Sequence, residues 1–289
     1  MGTVIASGIA SGCLIGLVAM GIVMIFRTSG IVNFAQGELM TLAAYLYLPL
    51  SNHHINSALE IVLVIVLGAV AGLVLFLITE FLLPRADTLI QIMATFALSL
   101  LIVSVLAKTE GSQTEPVANW FQGGTRFTVW GVHLTGAQVT QVIVMLVLLG
   151  AVSFVLNRTE LGHAVEAVTE DRRAASLCGI SPRATVAASW VIGAGLTALA
   201  GLLYAPLSGV TPSMGANVLF PAFVGATIGG FVSLTGAALG GVAVGVVGGL
   251  ANYFLGGGSV STVAIFVVLI LVLLFKPSGF GGRVLLSRV

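Results

Sequence analysis

Between Ala184 and Phe275 the chain runs for 92 residues without one Lys, Arg, Asp or Glu. Such a segment cannot coat a globule in water, because soluble domains carry about 25% charged residues and spend them on their surfaces. The full 289-residue chain is 58% hydrophobic and 7% charged, so the argument extends to all of it. Its solvent is a lipid bilayer, and the sequence reads as an integral membrane protein. A net charge of +1 without a basic run gives no footprint for nucleic acid. Cys13 and Cys178 fall in different settings and imply no disulfide framework.

A membrane helix needs about 20 apolar residues. Nine runs qualify, near 4–26, 31–50, 61–83, 88–107, 138–156, 184–206, 217–233, 236–255 and 259–275. The second is interrupted by polar residues, and the pair between 217 and 255 is joined tightly enough to be one hairpin or to contain a half-helix. Residues 1–26 lack a basic leader and a clear cleavage site, so they read as a retained span. The expected fold is an all-α polytopic transmembrane helical bundle of about eight to ten spans, one transmembrane domain over 1–289.

Cytoplasmic loops keep an excess of Lys and Arg. With nine alternating spans and the N-terminus outside, Arg27, Arg85, Arg158, Arg172, Arg173, Arg183, Lys276, Arg283 and Arg288 are all cytoplasmic. Lys108 and Arg126 alone remain outside, in the loop 108–137. The expected orientation is therefore N-terminus outside and C-terminus cytoplasmic. Trp120, Phe127 and Trp130 in that outer loop read as interfacial anchors or as a docking surface for an external partner.

Helices in lipid associate through small residues at four-residue spacing. Gly8, Gly12 and Gly16 form one such stripe, Gly241, Gly245 and Gly249 another, and Gly225 and Gly229 a further pair. They predict close helix packing. Their placement near both ends also fits two related halves with broken or re-entrant segments, an arrangement that in transporters brackets the substrate path.

Two polar features stand against this background. The first is the segment 157–183, which holds eight of the chain's 21 formal charges. Thr169 as cap, Glu170 and Asp171 in the first turn, Gly179 at the end and Pro182 beyond predict a short helix of about nine residues, or ~14 Å. Ala174, Ala175 and Cys178 leave one side of it small, and the concentration of charge suits docking of a soluble partner. The second feature is "GIVNFAQGELM" at 30–40. Gly30 and Gly37 permit a broken backbone, which membranes tolerate only where it is buried in protein or lines a cavity. Asn33 and Gln36 either support that break or touch the translocation path. Glu38 reads as structural or gating, with Arg27 as a candidate partner, since a charge at the bilayer centre normally faces protein or water. Glu80 lies near an inner edge and reads as a snorkelling side chain. His53 and His54 are adjacent, while His133 and His163 lie on opposite sides, so no metal spacing arises, and no catalytic constellation or cofactor motif is present.

Three stretches together resemble the permease subunits of branched-chain amino acid ABC importers. "GLVAMGIVMIFRTSGIVNFAQGELMTLAAYL" is similar to the family's first block, "EDRRAASLCGIS" to its cytoplasmic coupling loop, and "FPAFVGATIGGFVSLTGAALGGVAVGVV" to its late block, in the expected order. One departure is Gln36, where the family commonly has His, so that a neutral amide replaces an imidazole. The resemblance implies a prokaryotic plasma-membrane permease working with two ATPase subunits, a second similar permease or a second copy of itself, and an extracytoplasmic solute-binding protein. It also implies ATPase coupling through Glu170, Asp171, Ala174, Ala175 and Gly179. No G-x-x-x-x-G-K-[ST] phosphate loop occurs, so ATP hydrolysis is expected on other subunits. The expected cargo is branched-chain or other amino acids, or similar small polar solutes. The rival reading is a secondary transporter or channel coupled to an ion gradient through Glu38 or Glu80.

Overall fold

The computed structural model describes residues 1–52, 57–83, 87–117, 126–129, 132–276 and 279–281. His53, His54, Arg85, Trp120, Trp130, Arg283 and Arg288 lie outside the described residues. The elements run α1 (Gly2–Ser29), α2 (Gln36–Asn52), α3 (Ser57–Leu82), α4 (Thr88–Thr109), β1 (Arg126–Val129), β2 (Val132–Thr135), α5 (Gly136–Arg158), α6 (Glu160–Glu170), α7 (Arg172–Leu177), α8 (Pro182–Ser208), α9 (Met214–Gly229), α10 (Leu234–Leu255) and α11 (Gly258–Phe275). Helices α1, α3, α4, α5, α8 and α10 are long and apolar enough to cross a bilayer. α9 and α11 are shorter apolar helices, with 16 and 18 residues.

The nine apolar runs thus correspond to nine helices, but three of them, α2, α9 and α11, are not among the six long and apolar enough to cross. In the run 31–50 the helix begins only at Gln36, and α9 begins at Met214 after a non-helical stretch. The segment 108–137, expected as a loop, contains an antiparallel hairpin in which Arg126 faces Thr135 and Val129 faces Val132. β2 runs directly into α5, where Thr135 and Gln138 form a reciprocal capping box.

Close packing at glycine fixes the centre. α1 and α10 cross antiparallel, and a methyl group on Gly12 or Gly245 would strike the backbone of the other helix. Gly16 meets Gly241 in the same way, and Gly8 meets Gly245 and Val246. Gly249 sits farther off, with ordinary contact to Gly8. α3 and α8 repeat the arrangement with smaller means, Gly68 against Ala198 and Gly72 against Ala194.

These two pairings reveal an inverted repeat. The order long helix, break, half-helix, two further helices occurs in α1–α4 and again in α8–α11. α1 and α8 each end on a glycine in the left-handed region, Gly30 at φ 73° and Gly209 at φ 72°. The α1–α10 contact corresponds to the α8–α3 contact, each joining the first helix of one half to the third of the other, and both are principal interfaces of the bundle. The senses are opposed. α1 ends beside α6, where Thr169 meets Arg27, whereas α8 ends at the other face, where Val210 bridges to Glu115 beyond α4.

Candidate functional site

Both breaks turn back into the bundle. After Gly30 the chain does not continue along the surface, because Gln36 sits opposite Gly21, whose Cβ position its amide nearly fills. Gly21 lies about 12 Å before the end of α1, so α2 starts deep inside the membrane span. Irregular backbone at that depth must be satisfied by protein, and here it is. Ser29 Oγ accepts the Ile31 N–H at 3.1 Å, Thr95 Oγ1 accepts Phe34 N–H at 3.2 Å, and Asn33 Oδ1 accepts Ala35 N–H at 3.0 Å.

The amides lock this segment to α8. Asn33 Nδ2 donates to Gln36 Oε1 at 3.2 Å, and Gln36 Nε2 donates to Gly193 O at 2.9 Å and Thr197 Oγ1 at 2.5 Å. Both side chains are buried, and each amide oxygen and nitrogen has a partner in the protein. Gly37 packs on Gly215 of α9, and Gly215 N–H donates to Thr41 Oγ1 at 2.9 Å. The two half-helices therefore begin against one another at mid-depth. Below them, Phe34, Phe223, Phe231 and Phe26 form a chain of ring contacts, with Phe34 stacked on Phe223 at 6.0 Å and Phe231 at 4.9 Å from Phe26.

Glu38 differs from its neighbours. It is 2% exposed, contacts Thr41, and its Oε2 has no hydrogen-bond partner among the described residues. Arg27, its candidate partner, lies six residues beyond Gly21, or about 9 Å farther along α1. Arg27 borders a cleft of about 330 Å³ with Glu166, Thr169 and Glu170.

The charged segment forms two helices rather than the single one expected. α6 runs through Thr169 and Glu170, and its buried face is Gly162, Val165 and Val168. Gly162 permits the sharp return from α5, since a methyl group there would strike the Leu156 backbone. The cap of the second helix, α7, is Asp171 and not Thr169: Asp171 Oδ1 accepts from Arg173 N–H at 2.7 Å and Ala174 N–H at 3.1 Å. These bonds to Ala174 and Arg173 hold its carboxyl below the usual carboxylate range. Thr169 does not cap because it lies inside α6, which runs on to Glu170; its hydroxyl donates to Val165 O and Arg27 O. Gly179, at φ 83°, ends the unit.

Glu170 and Ala174 are exposed, while Ala175 is turned inward at 3% exposure among Val168, Val186 and Trp190. The apolar tip that the sequence pattern does not single out is Leu177, 89% exposed, followed by the exposed Cys178. A Leu before Cys-Gly at a helix end was the available signal. Glu80 does more than snorkel, since its Oε1 takes Arg183 Nε at 2.9 Å. No cluster of three or more metal-ligating side chains occurs among the described residues.

A family profile described as branched-chain amino acid transport system / permease component matches residues 4–275. High-affinity branched-chain amino acid transport system permease protein LivH of Escherichia coli (strain K12) is 28% identical over 298 aligned positions, covering 98% of this chain and 96% of that one. The similarly named BraD of Pseudomonas aeruginosa is 27% identical, with 99% and 97% covered. The probable branched-chain amino acid transport permease protein LivH of Methanocaldococcus jannaschii is 26% identical, with 93% and 89% covered. No solved structure matches.

Proposed function

The chain belongs to the branched-chain amino acid transport system permease family, and from that premise we propose that it carries branched-chain or other amino acids, or similar small polar solutes, across a prokaryotic plasma membrane in an ATP-driven importer. It is a membrane permease and not an enzyme. ATP is hydrolysed by two separate subunits, a solute-binding protein delivers from outside, and a second permease, either similar or identical, completes the pore.

The observation that carries this reading is the pairing of an inverted repeat, broken in both halves at mid-depth, with a charged helix pair at one face. Transporters place their path where such breaks meet. Asn33, Gln36 and Gly37 hold the first break in shape, and Glu38, with a free oxygen, is the group left to meet the path. Glu170, Asp171, Ala174, Leu177 and Gly179 form the docking unit for the ATPase. Basic residues support N-terminus outside and C-terminus cytoplasmic: Arg27, Arg158, Arg172, Arg173, Arg183 and Lys276 gather at the face of α6 and α7, while Lys108 and Arg126 sit at the other. In keeping with the absence of the phosphate loop, energy enters from a partner.

The orphan oxygen of Glu38 favours one second reading, a proton-coupled transporter. Purification of the solubilised chain from its native membrane separates the two. An ATPase that co-purifies, and is lost on Glu170→Arg, supports the importer. Recovery of the chain alone, with uptake driven by a pH gradient, supports the rival.

A further inference from the structure

The last carbonyls of a helix have no partner within it and must find one elsewhere. At the end of α1, Phe26 O receives Gly30 N–H at 2.8 Å and Ile25 O receives Ser29 Oγ at 2.7 Å. The next two are taken by the inner helix pair. Arg27 O lies 3.1 Å from Thr169 Oγ1, and Thr28 O receives Arg172 Nη2 at 2.5 Å. Thr169 divides its proton between Arg27 O and Val165 O, so the charged guanidinium makes the stronger contact. One grip comes from the end of α6 and the other from the start of α7, on either side of the joint at Asp171.

The position of these carbonyls gives the contact its meaning. Gly30 turns the chain at once into the segment 31–35, whose far end is pinned to α8 by Gln36. No further helical turn separates Thr28 from the break. We infer that Arg172 is a positioning residue that ties the α6–α7 pair to the first membrane break, so that displacement of the pair moves the end of α1 and the segment 30–35 together. The inference rests on the importer reading and adds to it the atom-level link between the docking unit and the path. The guanidinium suits the task because it carries several donors in a fixed plane. Arg172 also borders a polar cavity of about 100 Å³ with Ser29, Glu80 and Arg183, which offers a second acceptor when the pair shifts.

The test uses the complex purified with its own subunits and reconstituted in liposomes, with uptake of radiolabelled leucine and ATP hydrolysis read on the same samples. Arg172→Met keeps length and removes every donor; Arg172→Lys restores one charged donor. The expected result is that Arg172→Met still binds its ATPase and hydrolyses ATP, while leucine uptake per ATP falls on the order of tenfold or more, and Arg172→Lys recovers most of it. Wild-type coupling in Arg172→Met, or loss of the ATPase from that complex, overturns the inference. Should Arg172→Met fail to fold, Arg172→Gln, which keeps a polar but uncharged and shorter side chain, decides: a fall in uptake per ATP with the ATPase still bound supports the link, and an unchanged ratio overturns it. A wild-type complex without ATP-dependent uptake is a different failure, that of the importer reading itself.

Discussion

At the scale of single residues, the buried polar side chains of the spans divide into those with partners and, among the described residues, a few atoms without, Glu38 Oε2 being the one carboxylate oxygen beside Tyr45 Oη and Trp190 Nε1. Gln36 donates to two groups on α8 and accepts from Asn33. Gln36→Leu removes both bonds to α8 and leaves Asn33 Nδ2 buried without its acceptor, and is expected to cost about 1–3 kcal/mol, read as a lowered melting temperature in detergent. Outside the membrane, Asp171 caps α7 with a carboxyl held below its ordinary value by the N–H groups of Ala174 and Arg173. Because the folded value is depressed, the cap is fully present above the unfolded value and is lost as pH falls through the folded one. Hydrogen-exchange protection at Arg173 and Ala174, taken relative to the intrinsic rate at each pH, should therefore fall on acidification, and Asp171→Asn should flatten that dependence. The polar stretch 30–40 was legible in the sequence because amides and a carboxylate are costly in lipid. Their roles were not, since nothing in a linear pattern says that Gln36 reaches Gly193 and Thr197, far along the chain, while Glu38 Oε2 goes without.

At the scale of elements, the same residue type carries opposite consequences in different helices. Gly245 is pressed on the Gly12 backbone, whereas Gly150 in α5 has nothing within 4 Å of its Cβ position. Gly245→Ala should force α1 and α10 apart at a cost of about 1–3 kcal/mol. Gly150→Ala should be neutral or stabilise by up to about 1 kcal/mol through helix propensity. Parallel thermal unfolding of the two variants checks both. The four-residue glycine spacing marks α1 and α10 as close-packing helices, but the matching α3–α8 contact relies on alanine on one side, and Ala194 and Ala198 do not stand out in an alanine-rich span. The inner helix pair was half legible. Its charges and Gly179 mark the place, yet the boundary at Asp171 is hidden because Thr169 and Asp171 are both good caps, and which one serves depends on where α6 ends, at Glu170.

At the scale of the whole molecule, composition dictates the solvent and run length locates nine apolar helices; depth is another matter. That α2 and α9 start at mid-membrane depends on Gly37 meeting Gly215 and Gln36 meeting Gly21, contacts between segments remote in sequence. The inverted repeat is foreshadowed by glycine stripes near both ends and becomes evident only from the pairing of α1 with α10 and α3 with α8. On the proposed importer reading, α2 and α9 frame the path and α6–α7 receive the motion of the ATPase. Glu38→Gln keeps the shape and removes the ionisable group from that path without removing the drive. It is expected to change uptake rate or selectivity while leaving ATP dependence intact, as measured by initial rates with and without ATP across a pH range.

The most direct measurement is leucine uptake by the reconstituted complex with the ion gradients collapsed by ionophores and ATP supplied on the α6–α7 side. An ATP-driven importer predicts uptake that requires ATP and survives the ionophores. Uptake that ignores ATP and vanishes when the proton gradient is collapsed would contradict it.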